Sequence, residues 1–169
     1  MKDKEYRSLQ KNFKNFLTED INMEMAVSPN DVDVFPGKNY SSAKIANEIE
    51  KLTDESLEYL NLGKKGKKPT HFTSSAVKKN EITLKFTFNK DKISSNPELN
   101  SFYDILRPRY MYKDDYDFKK NYTREFTAWQ KIRSVLYKKY TTAGWKSISF
   151  ESNNSDKGDG FDFYVWLTK

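Results

Sequence analysis

The segment Glu81–Phe88 has the clearest alternation of apolar and polar residues in the chain, and this period of two predicts a β-strand. Two further strands are predicted over Trp145–Glu151 and Phe161–Thr168, and a weaker one over Thr70–Val77. Lys78-Lys79-Asn80 is predicted to be a tight turn that joins Thr70–Val77 to Glu81–Phe88 in a hairpin. The residues expected to face the core are Ile82, Leu84, Phe86, Phe88, Phe161, Phe163, Val165 and Leu167.

The stretch that follows residue 40 has apolar residues at helical spacing. Ser41 or Ser42 is expected to cap a helix that continues to Leu52. Thr53 is interpreted as the cap of a separate short helix, which ends before Gly63. This pattern therefore predicts two consecutive helices.

Two more helices are predicted in the second half of the chain. Asn96 as a cap and Pro97 as the first helical residue predict a helix that ends before Pro108. The longest helix is predicted over Thr123–Thr142. Its apolar side is expected to carry Phe126, Trp129, Leu136 and Tyr140.

The N-terminal part adds a helix predicted over Lys4–Leu17, a strand over Ile21–Val27 and a short apolar piece, Val32–Phe35, between turn signals. Because helices and hairpin-like strand pairs are mixed, we predict an α+β fold. It should be a single domain over residues 1–169, with a mainly antiparallel sheet of four to five strands and three to five helices. The lysine-rich segment 63–69 is predicted to be a flexible loop inside it.

Composition narrows the chemistry. The 169 residues are 36% hydrophobic and 15% aromatic, so aromatic rings carry much of the apolar volume. The absence of cysteine excludes disulfides, zinc-thiolate sites and cysteine nucleophiles, and there is one histidine. We expect no cofactor and no metal. Because no apolar run is long enough to span a membrane, a soluble, cytoplasmic protein is expected.

The charge is uneven along the chain. Met1–Leu62 has 8 basic and 12 acidic residues, whereas Gly63–Lys169 has 22 basic and 12 acidic ones, a net charge of +10. Two segments, Gly63–Lys92 and Arg107–Lys146, contribute +7 each. Such asymmetry favours an electropositive face and an anionic partner. The abundance of lysine, asparagine, tyrosine and phenylalanine is also what AT-rich coding produces, which suggests a low-GC bacterium, a plasmid or a phage as the origin.

The segment Tyr103–Arg124 interleaves aromatic rings with cations, a mixture that binds single-stranded nucleic acid by stacking and phosphate contacts. Asp114, Asp115 and Asp117 would repel phosphates unless they point away, and an aromatic-rich loop packed on the core is the alternative interpretation. The candidate binding residues here are Arg107, Arg109, Tyr110, Tyr112, Lys119 and Lys120.

Further candidates lie on the longest helix, where Lys120, Arg124, Lys131 and Lys138 are expected opposite the aromatic side. Arg133 falls within the apolar side, where it would snorkel, pair with a carboxylate or lie at an interface. The loop lysines are candidates for an electrostatic tether, although the spacing of a phosphate-binding loop is absent. They are Lys64, Lys65, Lys67 and Lys68.

We therefore expect a small basic protein that accompanies DNA or RNA, either single-stranded or bound through its backbone. The alternative is a protein-binding inhibitor of phage or mobile-element type, which docks on a host protein or a defence nucleoprotein complex. Catalysis is not favoured: a metal-dependent nuclease would rely on carboxylates such as Asp31 or Asp159, and His71 is expected to be a strand or loop histidine.

Overall fold

The computed structural model describes residues 32–35, 38–109, 112, 114–155 and 160–169. The predicted helix Lys4–Leu17 and strand Ile21–Val27 lie outside these residues. The described strands are β1 (Val32–Phe35), β2 (Lys38–Ser41), β3 (Phe72–Lys78), β4 (Glu81–Asn89), β5 (Ser147–Asn154) and β6 (Gly160–Thr168). The described helices are α1 (Ser42–Asn61), α2 (Lys90–Ile93), α3 (Pro97–Leu106), α4 (Asp115–Asn121) and α5 (Thr123–Thr142).

A four-stranded antiparallel sheet in the order β3-β4-β6-β5 forms one layer of the fold, and β1 pairs with β2 separately. The two hairpins, β3–β4 and β5–β6, join through the antiparallel pair of β4 and β6. This arrangement confirms the predicted α+β class, and the described elements form a single compact domain. The predicted strand Trp145–Glu151 is displaced, because β5 begins at Ser147 and continues to Asn154.

The core forms between one face of this sheet and the helices. Leu84, Phe86 and Phe88 alternate with less buried residues along β4, as the pattern predicts. From the helix side, the Phe102 ring lies 5.8 Å from that of Phe88 and 5.1 Å from that of Phe163. Aromatic rings therefore fill most of the volume between the two layers.

Helix α1 corrects the prediction of two consecutive helices. Ser41 is the cap, since its Oγ accepts a hydrogen bond from the Lys44 N–H at 3.3 Å. Thr53, however, lies inside one continuous helix, where its hydroxyl donates to the Ile49 carbonyl at 2.8 Å. Threonine serves equally in a cap or in such a bond to the preceding turn, so the residue type alone misled the prediction. Gly63, with φ 66°, follows the end of α1 as expected.

Helix α4 lies in the segment Tyr103–Arg124, for which an aromatic-rich loop packed on the core is the alternative interpretation. Asp114 caps it, because its Oδ1 accepts a hydrogen bond from the Asp117 N–H at 2.8 Å. Its first turn carries Asp115 and Asp117 and its last turn carries lysines, which suits the helix dipole. The acidic residues of this segment are thus explained by helix formation. The one-turn helix α2 was also not predicted.

Helices α1 and α5 are tied together by polar contacts as well as by packing. The Tyr140 hydroxyl donates to Asp54 Oδ1 at 2.7 Å, and Lys139 forms an ion pair with Glu50. Burial of the phenol, reinforced by the carboxylate of Asp54, raises the pKa of Tyr140. Tyr140 therefore keeps its proton, and its role as donor, at pH values where a free tyrosine ionises.

Replacing Phe102 by alanine should destabilise the protein by about 3–5 kcal/mol, because the change leaves a cavity between the layers. Phe102 is fully buried, whereas the ring of Tyr116 is 74% exposed. The matched control Tyr116→Ala should cost less than about 0.5 kcal/mol. Urea unfolding followed by circular dichroism measures both values, and equal losses for the two variants would contradict this placement of the core.

Candidate nucleic-acid interface

The predicted binding residues on the helices are mostly accessible. Lys131 is half-buried, and Lys119 lies with its Nζ 5.8 Å from the centre of the Phe126 ring. Exposed members of the set are Arg107, Lys119, Lys120, Arg124 and Lys138. These residues follow the surface from the end of α3 to the last part of α5.

Arg109 is engaged inside the protein. Its Nη2 lies 3.4 Å from Asp115 Oδ1, and the Nη1 of Arg133 lies 3.7 Å from the other oxygen of the same carboxylate. Arg133 is 4% exposed and also donates to Gln130 Oε1 at 2.7 Å. Of the three placements considered for Arg133, the structure thus shows pairing with a carboxylate. The Asp115 carboxylate faces these guanidinium groups, which reduces its repulsion of a phosphate.

Of the two predicted stacking tyrosines, Tyr112 belongs to the described part of the chain. Tyr112 is half-buried against the core, with its ring 5.7 Å from that of Tyr122. Tyr110 lies outside the described residues. The structure therefore places Tyr112 in a packing contact rather than in an open stacking position.

The lysine loop, residues 63–69, borders a groove of about 470 Å³ against the end of α1. Lys64, Lys65, Lys67 and Lys68 are all exposed, and the Nζ of Lys68 lies 5.8 Å from the Phe72 ring. Glu55 and Glu58 line the same groove as Lys65, Lys67 and Lys68. The groove is consequently mixed in charge.

The outward face of the sheet carries a connected polar network that the sequence analysis missed. Thr73 donates to Thr87 at 2.8 Å, and Thr87 donates to Asp162 Oδ1 at 2.8 Å. Lys85 Nζ approaches the other oxygen of Asp162 at 3.1 Å. Strands β3, β4 and β6 are therefore joined by side chains on this face in addition to their backbone hydrogen bonds.

Two aromatic rings continue this face along β6. Tyr164 and Trp166 are half-buried, with ring centres 6.0 Å apart and planes inclined by only 17°. Lys85 Nζ lies 5.6 Å from the centre of the Tyr164 ring. The hydrogen bond to Asp162 raises the pKa of Lys85. The signal was present in the sequence, since aromatic residues occupy the outward positions of Phe161–Thr168, where polar ones are usual.

We name the outward residues Thr83, Lys85, Thr87, Asp162, Tyr164 and Trp166 the open face; Asp162 is buried and the other five are half-buried. The opposite face packs against the helices; for example, the Trp129 ring of α5 lies 6.1 Å from that of Phe163. Side chains on successive strand residues point to opposite sides. The rings of Tyr164 and Trp166 therefore point away from the helices.

Four lysines meet at one end of the sheet, and we name them the lysine end: Lys78, Lys79, Lys146 and Lys169. Lys78 opens the β3–β4 turn, and the Lys169 N–H donates to the Asn80 carbonyl of that turn at 2.9 Å. The Lys146 N–H donates to the Thr168 carbonyl at 2.8 Å. All four side chains are exposed. The ends of β3, β5 and β6 and the β3–β4 turn thus bring the four lysines to one end of the sheet.

The lysine end joins the two basic segments of the sequence. Lys78 and Lys79 belong to Gly63–Lys92, whereas Lys146 ends Arg107–Lys146. Within the described part of the chain, none of the four lysines forms an ion pair, although Glu81 pairs with Lys78 across the strands. Lys169 Nζ lies 5.8 Å from the Trp145 ring. The excess of basic residues in two segments of the sequence therefore contributes to an excess of positive charge at one end of the sheet.

The residues considered for catalysis do not form a site in the described ranges. His71 is half-buried with its ring 5.0 Å from that of Phe88, and burial lowers its pKa. Asp31 and Asp159 lie outside the described residues. Across the described ranges, no three His, Asp or Glu side chains are grouped to hold a metal ion. No helix among the described elements has the length and apolar character to cross a membrane.

Comparisons with protein-family models, with curated proteins and with solved structures find no match to this chain. The open face and the lysine end therefore have to be interpreted from their own geometry. Their chemistry combines exposed cations, two stacked rings and a fixed Lys85–Asp162 pair.

Replacing Asp162 by asparagine should lower the pKa of Lys85, because the carboxylate that raises it is removed. The pair stabilises the fold fully below the ordinary lysine pKa of 10.5, and this contribution is lost as the pH rises through the raised value in the folded state. The stability advantage of the unmodified protein over Asp162→Asn should accordingly shrink above that pH. An NMR titration of the lysine side chains measures the shift.

Glu151→Gln is the matched control for this titration. Glu151 lies on β5 and pairs with Tyr164 on the side of β6 away from Lys85. Its replacement therefore removes a carboxylate from the same face of the sheet without touching Lys85. It should leave the pKa of Lys85 nearly unchanged. The proposed pairing is wrong if Asp162→Asn changes that pKa no more than Glu151→Gln does.

Proposed function

We propose that this protein binds nucleic acid and that the lysine end contacts the phosphates. The observation that carries the proposal is the convergence of Lys78, Lys79, Lys146 and Lys169 from distant parts of the chain. Each side chain is exposed, so the cations are available to a partner. A cluster of this kind raises the local concentration of a polyanion and directs its approach.

The energetic basis is counterion release. Each lysine that neutralises a phosphate releases condensed cations into the solution. Because this release is less favourable at high salt, the logarithm of the binding constant falls by about 0.7–0.9 per contact for each tenfold rise in salt concentration. Four contacts would give a slope of about −3 to −3.5. Affinity should therefore be measurable at low ionic strength and fall steeply with added salt.

Other exposed cations provide additional contacts in this proposal. They are the loop residues Lys64, Lys65, Lys67 and Lys68 and the helical residues Arg107, Lys119, Lys120, Arg124 and Lys138. Arg109 and Tyr112 have protein partners and are given a supporting role.

The double variant Lys78→Glu/Lys79→Glu should weaken binding of a fluorescent oligonucleotide by about tenfold or more at low salt and flatten the salt slope by about 1.5–2. Fluorescence anisotropy at several salt concentrations measures both quantities. The matched control is Lys90→Glu/Lys92→Glu, which makes the same charge change at the opposite end of β4, where both lysines are exposed. It should reduce affinity by less than about threefold.

Two results would contradict the proposal. One is the absence of binding to either single- or double-stranded oligonucleotides at low salt. The other is an equal loss of affinity in the two double variants, which would show that the net charge of the protein matters and the position of the lysines does not. A bacterial partner that is retained after nuclease treatment, with no oligonucleotide binding, would instead support the inhibitor alternative.

A further inference from the structure

We infer that the open face selects single-stranded nucleic acid by stacking bases on Trp166 and Tyr164. This inference rests on the proposed function, because it assigns the class of nucleic acid that the lysine end holds. Neither ring belongs to the residues that the charge analysis selected. The geometry of β6 and its neighbours carries the argument.

We call these two rings the platform. Their planes are inclined by only 17° and their centres are 6.0 Å apart, so a base that stacks on either ring takes nearly the same orientation. The cross-strand neighbours of Trp166 are Thr83 and Ser149, whose short side chains leave the larger ring projecting above them. The rings are half-buried, which limits the entropy lost when a base stacks on them.

Tyr164 is held by the pair beside it. Lys85 lies across the strand from Tyr164, and its Nζ is fixed by Asp162 at 3.1 Å while it lies 5.6 Å from the ring centre. Because Asp162 neutralises Lys85, this lysine is better suited to positioning the ring than to holding a phosphate. The phosphate contacts fall instead to the lysine end.

The lysine end and the platform are close enough to share one strand of nucleic acid. Trp166 precedes Thr168 by two residues, which is about 7 Å along a β-strand, and Tyr164 lies about 7 Å further on. Thr168 pairs with Ser147 and Glu81, beside the four lysines. A backbone that enters over the lysines therefore brings successive bases over the rings.

This arrangement distinguishes single strands from duplexes. In a duplex, the faces of the bases are occupied by neighbouring base pairs, so a duplex gains no stacking energy from the two rings. In a single strand the bases are free to stack on aromatic side chains, and the gain is largely independent of sequence. The lysine end, by contrast, holds the phosphates of either form.

Trp166→Ala tests the inference with an oligonucleotide and its duplex of equal length. Affinity for the single strand should fall by about 5- to 150-fold, the range found when one stacking residue is removed, whereas affinity for the duplex should stay within about twofold. The matched control is Trp145→Ala, a half-buried tryptophan near Lys169 that is not part of the platform. It should leave the ratio of the two affinities unchanged.

A spectroscopic measurement on a folded protein covers the case in which Trp166→Ala fails to fold. In the Trp145→Phe variant, Trp166 and the fully buried Trp129 are the remaining tryptophans. Saturation with single-stranded oligonucleotide should quench the emission of Trp166, and the duplex should not. Unchanged emission at saturation would overturn the inference.

The outcomes separate this inference from the proposed function. If Lys78→Glu/Lys79→Glu abolishes binding while Trp166→Ala weakens both forms equally or neither, base stacking is wrong and phosphate binding stands. If no oligonucleotide binds, both fail. If a protein partner is retained after nuclease treatment and no oligonucleotide binds, the single-strand inference is overturned.

Discussion

The contact between Phe88, Phe102 and Phe163 is the constraint on which the rest of this structure depends. With only 36% hydrophobic residues, the chain relies on large rings to bury enough apolar area for a stable core. These rings fix which side of β4 and β6 faces the helices. Because side chains alternate, that choice also decides that Lys85, Tyr164 and Trp166 face outward. The candidate interface is thus a consequence of the core.

The sequence predicted those helices and strands whose residues are compatible with only one local structure. The alternation in β4, the Asn96-Pro97 start of α3 and the aromatic side of α5 each have one physical meaning, and each is found as expected. Thr53 has two meanings, cap or bond to the preceding turn, and only the packing of α1 chooses between them. Helix α4 was missed because its acidic cap was interpreted as a group that repels phosphates.

The site required information that one-dimensional patterns do not contain. The two basic segments were visible as charge excesses, but their meeting point depends on β6 pairing between β4 and β5, which is a matter of topology. That pairing brings Lys146 and Lys169 to the turn at Lys79. The burial of Arg133 beside Asp115 likewise depends on how α4 packs against α5. The outward position of Tyr164 and Trp166, in contrast, could be predicted from the alternation in Phe161–Thr168 alone.

The central position of β6 has a consequence for local unfolding. Its residues pair with β4 along one side and with β5 along the other, so its amides open only when much of the sheet opens. Strand β4 is paired on both sides in the same way, so the rings of Tyr164 and Trp166 are attached to one of the two interior strands expected to exchange their hydrogens most slowly. Lys79 and Lys146, which lie in connections beside the strands, are attached to segments that open at lower free energy. A rigid aromatic surface is thus bordered by cations on backbone that opens more readily.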